Sequence, residues 1–179
     1  MGPLTKDLMI KALQLLDQKM HKRNFASMTL IMGGGGAMIL AHGFPRGTTD
    51  IDAIPQGASP EVLSDLVKEI AIELAIAPDW LNPYFSTFSH TLPSDYHTRL
   101  VTVFQGKVLR VEALGKEEML IMKCFAHRSK DRPHARALIK AKTNLDPVFA
   151  RIEELRKKKI PGAVEALAFL EELQDEDSE

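Results

Sequence analysis

A run of glycines and a pair of carboxylates are the residues of this chain best suited to chemistry. Four glycines at 33–36 follow the apolar segment 28–32, and Asp50 and Asp52 lie further along. Side chains two residues apart on a strand point to one face, so the two carboxylates are expected to face together. Such a pair suits a hard divalent cation, and Mg²⁺ usually reaches a protein with the phosphates of its substrate. We therefore expect a site for a nucleoside triphosphate (NTP) with Mg²⁺ or Mn²⁺.

The segment 28–54 contains the elements that would position these groups. Its pattern is an apolar strand at 28–32, a glycine turn, a short helix at 37–41, a loop and a second strand at 50–54. Glycine has no Cβ, so a polyanion can come close to the backbone of the turn. Free N–H groups at the start of the short helix would face that anion. The residues expected to carry the phosphates are Gly34, Gly35 and Gly36.

This segment resembles the nucleotidyltransferases of the DNA polymerase β superfamily, and more closely the small bacterial AbiEii-type and related nucleotidyltransferase-like proteins. The residues that carry the resemblance are Gly35-Gly36-Ala37-Met38, His42-Gly43 and Arg46-Gly47-Thr48-Thr49-Asp50-Ile51-Asp52. The alanine at 37 leaves a second register open, in which Gly34-Gly35 is the glycine pair. The resemblance implies an α/β (α+β) fold, with a mixed sheet flanked by helices. It also implies metal-dependent transfer of NMP from an NTP to a hydroxyl.

The acceptor of the NMP group is not indicated by the residues. A protein hydroxyl, a tRNA end and a small molecule all stay open, and some of the similar bacterial proteins belong to toxin-antitoxin systems. The alternative function is a catalytically inactive nucleotidyltransferase-like module that binds a nucleotide or a partner. A purely structural α/β protein is a third interpretation.

A third carboxylate is expected on a strand next to Asp50 and Asp52, because three carboxylates usually hold a pair of catalytic metal ions. Glu112 is the candidate, since it is an acid within the mainly apolar run 109–114 and a buried carboxylate is costly without a partner. It would complete the catalytic and metal-binding set. The alternative is an ion pair with Arg110 on the same strand face.

Four further residues are expected to contact the nucleotide or its phosphates. The resemblance makes Arg46 and Thr48 motif positions: Arg46 either contacts a phosphate or braces the loop through Asp50, and Thr48 bonds within the loop. Related proteins carry a similar arrangement of Lys, Ala, Arg and Asp after the catalytic strands, which makes Lys123 and Arg128 candidates. Basic residues outnumber acidic ones over 116–142, and this surplus could attract a triphosphate or an RNA end.

The remaining periodicity predicts helices and strands on both sides of the site. Helices are predicted over 4–23, 60–74, 116–128, 134–142, 146–158 and 162–173, with a hairpin over 99–104 and 107–114 and a strand at 84–88. Asp79-Trp80-Leu81-Asn82 also resembles the family and predicts a structured loop at the cleft. We expect a nucleotidyltransferase-like core at 1–114 and a C-terminal helical region at 115–179, packed as one compact unit.

Composition excludes several other classes of protein. The 179 residues are 45% hydrophobic, which favours a globular protein over disorder. No apolar run approaches the roughly 18 residues that a membrane span needs, so no membrane partner is expected. The single cysteine, Cys124, fits a reducing cytoplasm and lies on an apolar helical pattern. A cytoplasmic location is therefore expected, and the oligomeric state is left open.

Overall fold

A computed structural model describes residues 2–178, apart from the side chains of 86, 177 and 178. The helices are α1 Lys6–Lys22, α2 Gly34–Leu40, α3 Ser64–Leu74, α4 Lys116–Ala126, α5 Arg132–Lys140, α6 Leu145–Lys157 and α7 Ala163–Ser178. The strands are β1 Met28–Met32, β2 Ile51–Pro55, β3 Leu81–Asn82, β4 Val101–Gln105 and β5 Leu109–Ala113. Contacts divide the chain into a first unit, 2–86 with 100–114, and a second unit, 87–99 with 115–178.

The first unit contains one five-stranded mixed sheet in the order β3-β2-β1-β5-β4. Strand β1 pairs antiparallel with β2 and parallel with β5, β2 pairs parallel with β3, and β4 pairs antiparallel with β5. Alternate residues of β2 and β5 are buried, as expected for strands with one covered face. The predicted mixed α/β fold is confirmed.

Helix α1 fixes the hairpin of β4 and β5 through one buried carboxylate. Asp17, only 7% exposed, accepts hydrogen bonds from the backbone N–H groups of Lys107, Val108 and Leu109 at 2.9–3.0 Å. A Cβ added to Gly106 would lie 2.6 Å from the Asp17 Oδ2, so the turn has room only for glycine. The strand that carries Glu112 is therefore anchored by hydrogen bonds at its first residue.

The second unit is a group of helices around α4. Residues 118–125 of α4 are all buried, and α4 contacts α5, α6 and α7. A helix buried along its length lies in the interior of its group, even though two of these buried residues, Glu118 and Lys123, are charged. Burial raises the pKa of the Cys124 thiol to about 12, so this thiol is un-ionised near neutral pH and packs as a small apolar side chain. No helix among residues 2–178 has the length and apolar character to cross a bilayer.

The strand predicted at 84–88 is wrong, because Tyr84–Thr91 form a 3₁₀ helix. Pro83 has no N–H to donate to a sheet. The Tyr84 N–H donates instead to the Asn82 side chain at 3.0 Å. This local bond competes with strand pairing and bends the chain away from the sheet directly after β3.

Candidate nucleotide-binding site

Strand register places two of the predicted acids, Asp52 and Glu112, on one face of the sheet. Ile31 of β1 lies opposite Ile54 of β2 on one side and opposite Glu112 of β5 on the other. Laterally paired residues point to the same face, and so do residues two apart along a strand. Asp52 therefore shares its face with Ile54 and with Glu112. The opposite face of β2 is buried in the core.

The glycine turn packs directly against Asp52. Gly34 has a φ of +61°, in the left-handed region that glycine adopts without steric cost. A Cβ added there would overlap with the Asp52 carboxylate, 2.8 Å from its Cγ and 3.0 Å from its Cβ. The Gly33 N–H also donates to the Asp52 carbonyl at 2.9 Å. The Asp52 carboxylate therefore packs directly against the backbone of Gly34, which has no side chain.

Gly35 makes the same kind of contact with Thr48. A Cβ at Gly35 would lie 2.5 Å from the Thr48 Oγ1. The Thr48 backbone is held in turn by Leu4, whose N–H donates to the Thr48 carbonyl at 2.6 Å and whose carbonyl accepts the Thr48 N–H at 3.1 Å. Two glycines of the run therefore meet two residues of the Thr48–Asp52 motif. The helix begins inside the run at Gly34, three residues before the predicted start.

Asp50 is oriented by hydrogen bonds from two side chains. Its Oδ1 accepts the Thr49 hydroxyl at 3.2 Å, and its Oδ2 accepts the Asn82 amide at 3.0 Å. Asn82 lies on β3, directly opposite Asp52. Arg46 is exposed in the loop before Thr48. Among residues 2–178, the side-chain hydrogen bonds described at Asp50 come from Thr49 and Asn82 and not from Arg46. The interpretation of Arg46 as a phosphate ligand stays a prediction.

Glu112 is on the expected face but not on a neighbouring strand. Strand β1 lies between β2 and β5, so the backbones of these two strands are about 10 Å apart, or two strand spacings. The Glu112 carboxylate pairs with the Arg110 guanidinium at 2.6 Å. Arg110 also donates to the Thr102 hydroxyl at 2.9 Å. The alternative ion pair is therefore present, and a metal-binding role for Glu112 stays a prediction.

Lys123 and Arg128 belong to the second unit, where both bind one buried carboxylate. The Lys123 ammonium and the Arg128 guanidinium each lie 2.6 Å from Asp131, which is fully buried. Burial alone would raise the pKa of Asp131, but the bonds from Arg128 and Lys123 hold it below its ordinary value. These two cations therefore join α4 to the start of α5, and their binding of nucleotide stays a prediction.

The donor groups beside the glycine turn fit a divalent cation that brings phosphate oxygens with it. Within residues 2–178 there is no group of three or more His, Cys, Asp or Glu side chains placed to hold a metal ion. Asp50 and Asp52 are two hard oxygen ligands, and Mg²⁺ is commonly bound through one or two carboxylates with the rest of its shell from water and substrate phosphates. The space above Gly34 is filled by the Asp52 carboxylate itself, so the glycine turn sets the place of this ligand. Two carboxylates are therefore enough for Mg²⁺ bound to a triphosphate.

Sequence reasoning placed Asn82 in a loop at the cleft and gave it no role. The signal for it was an amide directly after the buried Trp80 and the half-buried Leu81, at the end of a short strand. Trp80 itself packs in the core, where its indole N–H donates to the Val67 carbonyl at 3.0 Å. The asparagine is the member of this segment that faces the acids.

A mixed sheet with a glycine turn packed against an Asp-x-Asp strand is the arrangement of a nucleotidyltransferase-like protein. The sequence profile of one family, described as nucleotidyltransferase of unknown function (DUF6036), matches residues 10–160. The chain belongs to this family. The match includes the glycine turn, the Asp-x-Asp strand, Asn82 and Glu112. Comparison with curated proteins and with solved structures gives no match.

Proposed function

We propose that this protein is a metal-dependent nucleotidyltransferase, which moves NMP from an NTP to a hydroxyl acceptor. The observation that carries the proposal is the joint packing of Gly34 against Asp52 and of Gly35 against Thr48. A glycine run that serves only as a flexible turn has no need to meet two residues of one acidic motif. Membership of a nucleotidyltransferase family supports the same reaction class.

Each residue of the site has a task in this proposal. Asp50 and Asp52 would hold Mg²⁺ or Mn²⁺, with Glu112 as a further predicted ligand. The glycine turn would let the triphosphate approach the backbone, and Arg46 and Thr48 would contact its phosphates. The cation supplies Lewis-acid stabilisation of the charge that develops at the attacked phosphorus. Lys123 and Arg128 stay candidates for binding the nucleotide or the acceptor.

We also propose that the chain is related to the AbiEii-type proteins of the DNA polymerase β superfamily. It rests on the resemblance of residues 35–52. A role in a bacterial toxin-antitoxin system follows only from that resemblance. The acceptor would then be a protein hydroxyl, a tRNA end or a small molecule in the cytoplasm.

A second function is favoured by the position of Glu112. With this acid paired to Arg110 and separated from β2 by β1, the site has two carboxylates rather than three. Such a site could bind a metal-nucleotide complex without transferring it. The alternative is therefore a nucleotide-binding module of nucleotidyltransferase type.

Thermal unfolding with nucleotides tests the site that both functions need. A ligand present at ten times its Kd stabilises the folded state by about 1.4 kcal/mol, which raises Tm by roughly 3–5 °C at this size. We expect this rise with at least one NTP at millimolar concentration, only when Mg²⁺ or Mn²⁺ is present. Asp52→Asn should abolish the rise, whereas Asp65→Asn, at an exposed position of α3, should keep it.

Two outcomes separate the functions. If no NTP shifts Tm with either metal, the nucleotide site itself is refuted. If Tm shifts but no label passes from an α-labelled NTP to the protein, to tRNA or to small molecules of a cell extract, the binding module is the better description. Transfer that survives Asp52→Asn would remove the Asp-x-Asp from the mechanism.

A further inference from the structure

The strand on the outer side of β2 places an amide against the two acids. Strand β3 has only two residues and pairs parallel with β2, with Asp52 opposite Asn82. Because paired residues point to one face, the Asn82 side chain lies on the face of Asp52, and it bonds to Asp50, which directly precedes β2. It is only 6% exposed. A buried amide at the edge of a site needs its hydrogen bonds satisfied, and its partners show how it is used.

The backbone determines which end of the Asn82 amide faces Asp50. The Tyr84 N–H can only donate, and it bonds to the Asn82 Oδ1 at 3.0 Å. The Asp79 carbonyl can only accept, and it lies 3.3 Å from the Asn82 Nδ2. These two partners exclude the flipped amide. The Nδ2 that remains therefore donates to the Asp50 Oδ2 at 3.0 Å.

We infer that Asn82 is a positioning residue of the site, which holds the Asp50 carboxylate in the orientation that binds a metal-nucleotide complex. The inference rests on the proposed function, because it assigns Asp50 to that complex. Asn82, on β3, is a third polar group beside the two acids. Glu112 does not fill this place, because β1 separates its strand from β2. An amide in this place adds no negative charge, so Asp50 and Asp52 stay together without a third repelling carboxylate.

Two substitutions at 82 should move the affinity for Mn²⁺ in opposite directions. Asn82→Ala removes the donor that orients Asp50, and loss of a residue that orients a ligand typically lowers metal affinity about 10–100-fold. Asn82→Asp keeps the shape and the acceptor for Tyr84 but places a third carboxylate beside Asp50. Since cation affinity rises with the number of charged ligands, Asn82→Asp should bind free Mn²⁺ at least several-fold more tightly than the wild type.

The matched control is Asn144, which caps α6 by accepting the Asp146 N–H at 3.2 Å. Asn144→Ala also removes an asparagine that bonds a backbone N–H, and it should lower stability without changing Mn²⁺ affinity. The measurement is titration of the full chain with Mn²⁺, followed by electron paramagnetic resonance of the free ion, with and without a non-hydrolysable NTP analogue. Circular dichroism shows whether each variant is folded.

The outcomes separate the two proposals. If the wild type binds Mn²⁺ with the analogue and both variants at 82 match it, the role of Asn82 is wrong and the nucleotide site stands. If the wild type binds no Mn²⁺ even with the analogue, the proposed function fails and the role of Asn82 fails with it. Should Asn82→Ala not fold, Asn82→Asp decides alone: unchanged affinity for free Mn²⁺ overturns the inference.

Discussion

Gly34→Ala should weaken metal-nucleotide binding in addition to straining the backbone. Gly57→Ala introduces the backbone strain alone and therefore separates the two effects. Gly34 and Gly57 have φ angles of +61° and +69°, so an alanine at either position pays the left-handed cost of about 1–2 kcal/mol. A Cβ at Gly57 meets nothing within 4 Å, whereas one at Gly34 overlaps with the Asp52 carboxylate. The difference between the two variants therefore isolates the contact with Asp52.

The size of that difference follows from how Asp52 can respond. The overlapping group is the end of a side chain, so the carboxylate can rotate away at a cost of about 0.5–1.5 kcal/mol for leaving its rotamer. Gly34→Ala should then lose about 1.5–3.5 kcal/mol of unfolding free energy in total, against about 1–2 for Gly57→Ala. The rotation also removes Asp52 from its place, so metal-nucleotide affinity should fall at least tenfold in Gly34→Ala alone.

Urea denaturation at constant m-value measures the stabilities, and Mn²⁺ titration with an NTP analogue measures the affinity. Comparison of the two variants cancels their shared backbone strain and the shared effect of alanine on the unfolded chain. Equal stabilities together with equal affinities would show that Gly34 does not support Asp52. The central contact of the proposed site would then be wrong.

Two predictions concern carboxylates outside the Asp-x-Asp pair. Because Glu112 pairs with Arg110, whose side chain is 47% exposed, Glu112→Gln should cost at most about 1 kcal/mol of stability; a tenfold fall in Mn²⁺ affinity would support Glu112 as a further ligand, and unchanged affinity would leave it only the ion pair. Burial would raise the pKa of Asp17, but the three N–H donors outweigh it and lower the pKa below 3.8. Its stabilisation is therefore complete above the unfolded pKa and lost as pH falls through the folded one. Asp17→Asn should cost about 1–3 kcal/mol at pH 7 and progressively less below about pH 4, and an equal loss at pH 3 and pH 7 in urea melts would contradict this.

The elements around the glycine run could be predicted because their signals are local. The apolar segment 28–32 and the acidic strand of Asp50 and Asp52 have the alternation and bounding residues of strands. The α/β class follows from the order of such segments. The glycine run and the acidic pair were predicted to share one site, but the direct contact of Gly34 with Asp52 was not predicted.

Strand order could not be obtained in the same way, and it governs the interpretation of Glu112. The alternation of residues over 109–114 predicts the face of Glu112 correctly. Nothing in this run, however, says that β5 pairs with β1 rather than with β2. That choice depends on contacts between residues far apart in sequence. The two-residue strand β3 gave no periodic signal at all, so the neighbour of β2 that carries Asn82 was missed.

The proposed site, with two carboxylates and one amide, predicts the order in which metal and nucleotide bind. Two charges attract a free divalent cation weakly, and a triphosphate alone is repelled by both acids. Each ligand removes the obstacle to the other, so metal and nucleotide should bind with strong positive coupling, and by linkage each raises the affinity of the other by the same factor. A third carboxylate in contact would let the cation bind well by itself, before the nucleotide. Asn82 in place of an acid therefore favours a protein that takes up the metal-nucleotide complex as one ligand, whether or not it then transfers the nucleotide.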